Sequence, residues 1–188
     1  KILRQVDALA RTDALIASNT SSISITTLAA VVSRPADFIG VHFFNPVPMM
    51  ALVELVRGLQ TSTTTVDAAI DFAKRLTKSP IVVKDSPGFV VNRILCPMLN
   101  EAVFALQEGL ASPEDIDNGM KLGCGHPIGP LALTDMIGLD VLLAVMNVFY
   151  TDFGDSKYRP PQLLKQMVAA GQLGRKTGRG FYDYTEKK

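Results

Sequence analysis

The stretch that decides the fold is FIGVHFFNPVPMMALVELV, residues 38–56. It contains two short apolar runs, 38–44 and 52–56, with a loop containing two prolines, 45–48, between them. Apolar runs of this length, bounded by turn-forming residues, are typical of strands buried inside a sheet. We therefore predict two buried strands with a proline-containing turn between them.

The sequence on either side extends this pattern. Short apolar runs at 15–17 and 80–83 predict two more strands. Helical spacing of apolar residues predicts helices over 2–10, through 28–32, and from 62 or 63 to 76. Four short strands with helices among them predict an α/β sheet region.

The pattern changes after Asp85-Ser-Pro-Gly88. The segments with helical character that follow are 89–109, the helix that starts at Ser112-Pro113, 130–150 and 160–170. A short strand is predicted only in the tail, at 180–184. We therefore place an α/β domain at 1–86 and an all-helical domain at 87–188, which makes the chain mostly helical.

Composition argues against several classes of protein. The chain has 188 residues, a formal net charge of +1 and 47% hydrophobic residues. This charge gives no electrostatic reason to bind nucleic acid or a membrane surface, and the longest apolar stretch, 141–150, is too short to span a bilayer. Cys96 and Cys124 lack metal-ligand spacing and are too few for a disulfide framework, so we expect a reducing, cytoplasmic location.

His42 and Glu54 are the candidate catalytic residues. His42 lies near the end of one predicted strand, and Glu54 is flanked on both sides by apolar residues of another. A carboxylate buried there without a partner would be costly, and contact with His42 would remove that cost. A carboxylate beside an imidazole fixes the ring tautomer and supports a general base near neutral pH. The residues alone leave open a solvent-facing Glu54 and a His42 that bonds to the backbone.

Five motifs carry a resemblance that covers essentially the whole chain. In sequence order they are ASNTSS (17–22), HFFNPVP with Glu54 (42–54), KDSPGFVVNR (84–93), LGCGHPIGP (122–130) and GRKTGRGFY (174–182). In order and spacing they resemble the 3-hydroxyacyl-CoA dehydrogenase family, and within it the bacterial 3-hydroxybutyryl-CoA dehydrogenases. The resemblance implies the C-terminal portion of a Rossmann-like NAD-binding domain at 1–86 and a helical substrate and dimerisation domain at 87–188.

The resemblance also implies a reaction. This is the NAD-dependent oxidation of an (S)-3-hydroxyacyl-CoA, of short chain such as 3-hydroxybutyryl-CoA, to the 3-oxoacyl-CoA, and the reverse. His42 would be the general base and acid, and Glu54 would orient it. The CoA thioester substrate and a second copy of the chain are the implied partners. NADP stays open as the cofactor, because the ribose-binding residues that would decide it are not found in the sequence.

Four further residues receive binding roles from the resemblance. Ser21 and Asn92 would hydrogen-bond the substrate, while Asn45 and Lys176 would contact NAD. Each also has a local interpretation that stays open. Ser21 suits a turn or a helix cap, Asn92 the start of the long helix, Asn45 an Asn-Pro turn, and Lys176 a solvated loop.

The family's Gly-rich phosphate loop has no counterpart in this sequence. The glycines of 123–129 have the wrong spacing and follow a predicted helix, so we interpret them as a helix–helix turn, and 174–180 lacks the Gly-Lys-Thr order of a P-loop. Because the chain begins at Lys1 and not with methionine, and the resemblance implies a preceding βαβ unit, we expect the natural start to lie upstream. We also expect this chain alone to be inactive.

Two other functions stay open at this point. The chain could be a non-catalytic fragment that serves only in dimerisation, since helices 89–110 and 131–150 are more apolar than a helical domain of this size needs. It could also be another two-domain dehydrogenase, of the hydroxyacid or 6-phosphogluconate type, although a catalytic lysine would then be favoured. A zinc site lacks ligands near His42 and Glu54, and Cys124 with His126 has the wrong spacing for a thiol nucleophile and its base.

Overall fold

The computed structural model describes residues 1–21 and 23–185. The chain divides into two compact units, Lys1–Val91 and Asn92–Lys188. The predicted helical domain was bounded at 87–188, and its last three residues lie outside the described part.

The first unit is a mixed four-stranded sheet with three helices. The strands lie in the spatial order β1-β2-β3-β4, with β1–β2 and β3–β4 parallel and β2–β3 antiparallel. All four predicted strands are found. Their bounds are β1 Ile16–Ser18, β2 Phe38–Phe43, β3 Leu52–Arg57 and β4 Ser79–Lys84, and the helices are α1 Ile2–Leu9, α2 Ile25–Ala29 and α3 Thr63–Arg75.

The two central strands are apolar because both faces of the sheet are covered. Phe38 and Val56 belong to a cluster on one face, whereas Ile39, Val41 and Leu55 belong to a cluster on the other. Strands buried on both faces lose the alternation of apolar and polar residues that a half-exposed strand shows. The polar side chains of His42 on β2 and Glu54 on β3 are therefore placed in the interior by the fold.

Side-chain caps decide where the helices of this unit begin. The hydroxyl of Ser62 accepts a hydrogen bond from the backbone N–H of Thr65 at 3.1 Å, so α3 starts where its sequence predicts. Helix α2 was predicted through 28–32 but spans Ile25–Ala29. It begins at Ile25 because Ser24 caps it, together with a carboxylate that is distant in sequence, and it ends before the predicted 32.

The second unit is helical, as predicted. Its helices are α4 Val91–Gln107, α5 Pro113–Cys124, α6 Pro130–Ile137, α7 Leu139–Phe153 and α8 Gln162–Ala169. Ser112 caps α5, and Gly125 with a φ of 70° ends it, so the predicted helix–helix turn is confirmed. The predicted helical segment 130–150 is two helices, separated at Gly138 with a φ of 108°.

The strand predicted at 180–184 is wrong. This part of the tail forms only isolated bridges, and a buried carboxylate takes the place of a partner strand. Asp135 accepts hydrogen bonds from the backbone N–H groups of Phe181 and Tyr182 and from the hydroxyl of Tyr184, each at 3.0 Å. Burial raises the pKa of Asp135, against the effect of these hydrogen bonds.

No single helix in the described part of the chain is long and apolar enough to cross a membrane. Only α6 and α7 taken together, bent by 96° between them, meet that test of length and composition.

Candidate active site

His42 and Glu54 face each other across the antiparallel pair β2–β3. They are direct partners in the register of the two strands, which places their side chains on the same face of the sheet. The Nδ1 atom of His42 lies 2.8 Å from Oε2 of Glu54, and the two residues are 4% and 0% exposed. The structure thus brings together the pair that the sequence suggested, and it excludes a solvent-facing Glu54.

The second carboxylate oxygen of Glu54 is held by the backbone. Oε1 accepts hydrogen bonds from the N–H groups of Val90 and Val91, both at 3.0 Å. Burial acts to raise the pKa of Glu54, but the hydrogen bonds from His42, Val91 and Val90 outweigh it and leave the pKa below its usual value. Glu54 is therefore a carboxylate at neutral pH, although it is buried.

Ser21 extends this contact into a hydrogen-bonded chain of three side chains. Its Oγ lies 2.9 Å from Nε2 of His42, on the side of the ring opposite Glu54. With the Nδ1–H group donated to the carboxylate, Nε2 is an acceptor and the Ser21 hydroxyl donates to it. Since β1 and β2 are parallel, Ser21 follows the carboxyl end of one strand and His42 lies at the carboxyl end of the next.

Two aromatic rings enclose the imidazole. The ring of Phe44 meets the His42 ring edge to face at a centroid distance of 4.7 Å, and the ring of Phe89 does so at 5.4 Å. Nearby, Oδ1 of Asn19 accepts the backbone N–H of Phe43 at 2.9 Å and joins the ends of β1 and β2. The imidazole is thus fixed by one carboxylate, one hydroxyl and two ring edges.

The positions of the other three predicted site residues do not test their binding roles. Asn45 is exposed in the loop after β2. Asn92 lies on the first turn of α4, half-buried, in the second unit. The Lys176 ammonium donates to both carboxylate oxygens of Asp140, at 2.6 and 2.7 Å. Their binding roles stay predictions.

The groups that hold Glu54 in place could not be recognised from residue type. Val90, Val91 and Phe89 are apolar and gave no polar signal, because the contacts of the two valines are made by their backbone. The available signal was Pro87-Gly88, a turn directly before a helical segment. Among residues 1–21 and 23–185, no group of three or more histidine, cysteine, aspartate and glutamate side chains could hold a metal ion.

Two protein-family models match nearly all of the chain. Residues 1–86 match the model of the 3-hydroxyacyl-CoA dehydrogenase NAD binding domain, and residues 88–184 match that of the 3-hydroxyacyl-CoA dehydrogenase C-terminal domain. The chain belongs to the 3-hydroxyacyl-CoA dehydrogenase family. The Rossmann-like and helical domains expected of this family are the two kinds of architecture found in the two units.

Several members of the family are similar over nearly all of this chain. A 3-hydroxybutyryl-CoA dehydrogenase from Clostridioides difficile is 56% identical over 98% of the chain and 66% of its own length. The human mitochondrial hydroxyacyl-coenzyme A dehydrogenase is 43% identical over 98% of the chain and 59% of its own length. The crystal structure of (S)-3-hydroxybutyryl-CoA dehydrogenase from Ralstonia eutropha is 69% identical with a TM-score of 0.97, over 98% of the chain and 65% of its own. The chain thus spans about two-thirds of the length of the Clostridioides difficile and Ralstonia eutropha relatives.

Proposed function

We propose that the protein catalyses the NAD-dependent oxidation of a short-chain (S)-3-hydroxyacyl-CoA to the 3-oxoacyl-CoA, and the reverse reaction. The observation that carries this proposal is the hydrogen-bonded chain Ser21–His42–Glu54 at the carboxyl ends of β1 and β2. The 3-hydroxybutyryl substrate follows from the names of relatives that are 52–56% identical.

The three side chains have the arrangement that proton transfer from an alcohol needs. When substrate binds, the Ser21 hydroxyl turns from Nε2 of His42 to donate to the substrate oxygen, and Nε2 takes the hydroxyl proton of the substrate. Glu54 stays ionised because of its lowered pKa, so its charge stabilises the imidazolium and the proton remains on the ring. In the reverse direction His42 returns the proton to the developing alkoxide.

The residues near His42 fit the nicotinamide end of NAD. Ligands of parallel α/β sheets bind beyond the carboxyl ends of the strands, and the exposed amide of Asn45 follows the end of β2 there. An amide side chain can donate to and accept from the carboxamide of a nicotinamide ring. When bound, NAD supplies the acceptor for the hydride that leaves the carbinol carbon.

Replacement of His42 by glutamine tests the proposal. In the complete natural polypeptide, His42→Gln should lower kcat for acetoacetyl-CoA reduction by about 10²–10⁴-fold, the usual contribution of a general acid or base. The assay follows NADH absorbance, and circular dichroism confirms that the variant is folded.

His126 offers a matched control, because it is the second of the two histidines in the sequence. It lies in the turn between α5 and α6, in the second unit. His126→Gln should leave kcat within about twofold of the wild type, since the residue takes no part in the proton transfer. Near wild-type turnover by His42→Gln would remove His42 from the mechanism.

We also propose that the protein is a homodimer formed through the second unit. An apolar groove of about 470 Å³ between α4 and α5 supports this, lined by Met98, Ala102, Ala105, Ile116 and Met120 among others. Grooves of this kind at the surface are typical of subunit interfaces. Sedimentation as a monomer at micromolar concentration would contradict the homodimer.

We also propose a cytoplasmic location, because both cysteines are free thiols, as is usual in a reducing compartment.

A further inference from the structure

The turn before α4 contains an unusual backbone conformation. Phe89 has a φ of 51° and follows Gly88, which has a φ of 76°. A bulky side chain rarely adopts this left-handed region, which glycine enters freely. Phe89 is also buried, at 5% exposed. Conformations of this kind persist only where the surrounding structure holds them, and they concentrate at functional sites.

The left-handed turn sets the direction of the two amides that follow it. The N–H of Phe89 donates to the carbonyl oxygen of Ser86 at 3.0 Å and closes the turn. The next two N–H groups, of Val90 and Val91, then both reach Oε1 of Glu54. A right-handed or extended conformation at position 89 would turn these two N–H groups away from Glu54. The backbone conformation of Phe89 therefore determines whether the carboxylate receives their hydrogen bonds.

The side chain of Phe89 packs against His42, the partner of Glu54. Its ring meets the His42 imidazole at an interplanar angle of 62°, and Phe44 contacts the same imidazole. The polar partners of the imidazole are Glu54 and Ser21. The Phe89 ring therefore restricts both rotation of the imidazole and the approach of water to it.

We propose that Phe89 is a positioning residue for the His42–Glu54 pair. Its left-handed backbone aims two amides at Glu54, and its ring covers one side of His42. This inference rests on the proposed function, since it concerns the same site. Phe89 acts on the reaction through these two residues and carries no proton itself.

Comparison of Phe89→Gly with Phe89→Ala separates the two contributions. Both variants lose the ring, but only glycine adopts the left-handed conformation without strain. Phe89→Gly should therefore keep a kcat/KM about tenfold higher than Phe89→Ala. In both, the acidic limb of the kcat/KM profile for oxidation should move to higher pH, because water that reaches the imidazole stabilises its charged form. If Phe89 only fills the core, alanine should be no worse than glycine and the profile should not move.

Phe38 is the matched control, because it is buried in the same apolar cluster and is 0% exposed. Phe38→Leu and Phe89→Leu both remove a buried ring and keep apolar bulk. Phe38→Leu should lower stability without moving the pH profile, whereas Phe89→Leu should move it. An equal shift in both variants would overturn the inference.

Proton exchange at His42 gives a readout that does not depend on activity. The sequence contains two histidines, so the imidazole NMR signal that remains in the ¹⁵N-labelled His126→Gln variant belongs to His42. Exchange of the Nδ1–H proton with water should be about tenfold faster in Phe89→Gly than in the wild type. In the complete natural polypeptide, an inactive wild type would contradict the proposed function and leave this test intact, whereas unchanged exchange in an otherwise active enzyme would contradict the role of Phe89.

Discussion

Glu54 is a buried carboxylate whose two oxygens both have partners. Oε2 faces His42, and Oε1 receives two backbone N–H groups from the turn before α4. Hydrogen bonds to the ionised form offset the desolvation of a buried carboxylate, and backbone donors keep their positions when the imidazole gains a proton. Glu54 can therefore hold a fixed negative charge next to a ring whose charge changes during the reaction.

Replacement of Glu54 by glutamine should separate its charge from its size. Glu54→Gln keeps the shape but removes the charge that stabilises the imidazolium, so kcat for acetoacetyl-CoA reduction should fall by about 10²-fold or more. Glu108→Gln, at an exposed position, is the control and should leave kcat unchanged. Wild-type kcat in Glu54→Gln would show that the carboxylate has no part in proton transfer.

Among the secondary-structure elements, α2 depends on a cap from outside its own sequence. It has five residues, too few to be stable alone. Asp85, directly after β4, accepts hydrogen bonds from the hydroxyl of Ser24 at 2.8 Å and from the N–H groups of Ile25 and Thr26 at 3.0 and 2.7 Å. Burial raises the pKa of Asp85, but the bonds from Thr26, Ser24 and Ile25 prevail and lower it.

Loss of this cap should destabilise the first unit. Asp85→Ala should lower the free energy of unfolding by about 1–2 kcal/mol, the usual cost of a lost N-cap. Urea denaturation followed by circular dichroism measures the change. Asp71→Ala, at an exposed position on α3, is the matched control and should stay within about 0.5 kcal/mol of the wild type. Equal effects of the two substitutions would argue against the cap.

The tail of the second unit is packed so closely that two of its glycines have no room for a side chain. A Cβ added to Gly180 would lie 2.0 Å from Oδ1 of Asp135, and one added to Gly174 would lie 2.2 Å from the Asp135 carbonyl oxygen. Gly123, in α5, has nothing within 4 Å of its added Cβ. Replacement of glycine by alanine should therefore lower the stability of the protein at position 180 and raise it at position 123.

Gly180→Ala should destabilise the protein by about 1–3 kcal/mol through overpacking. Gly123→Ala should stabilise it by about 0.5–1 kcal/mol, because alanine loses less backbone entropy than glycine in a helix. Thermal unfolding of the two variants measures both effects. A neutral Gly180→Ala would contradict the close contact of the tail with Asp135.

At the scale of the whole molecule, the buried carboxylates predict sensitivity to acid. The folded-state pKa values of Glu54 and Asp85 are lowered, so their stabilisation is fully present above the unfolded values of about 4 and is lost as pH falls through the folded values. The first unit should therefore lose stability below about pH 4. Since the sequence contains no tryptophan, hydrogen exchange of peptides from residues 1–91 is the suitable measurement. The Glu54→Gln variant should lose part of this acid dependence, and an unchanged profile would contradict it.

The sequence predicted the strands and most helices because their signals are local. Apolar runs with turn residues located β2 and β3, and Ser112-Pro113 located the start of α5. The cost of an isolated buried carboxylate suggested the pairing of His42 with Glu54, but the residues alone also left a solvent-facing Glu54 open. Prediction failed where a distant side chain decides the outcome. Asp135 holds a tail whose apolar alternation is typical of a strand.

The site was predictable only in part for the same reason. Every residue type except proline has a backbone N–H, so the hydrogen bonds from Val90 and Val91 to Glu54 could not be inferred from the sequence. The roles given to Asn45, Asn92 and Lys176 came from family resemblance and stay predictions. The substrate-binding role of Ser21 likewise came from resemblance and stays a prediction, although its hydroxyl contacts His42.

A double-mutant cycle on kcat/KM tests the central claim most directly. The cycle compares His42→Gln, Glu54→Gln and the double variant in the complete natural polypeptide, with acetoacetyl-CoA and NADH as substrates. If the two residues act as one unit, removal of Glu54 in the absence of His42 should cost little, so the double variant should be within about threefold of His42→Gln. Losses that multiply independently would show that the two side chains do not relay the proton together.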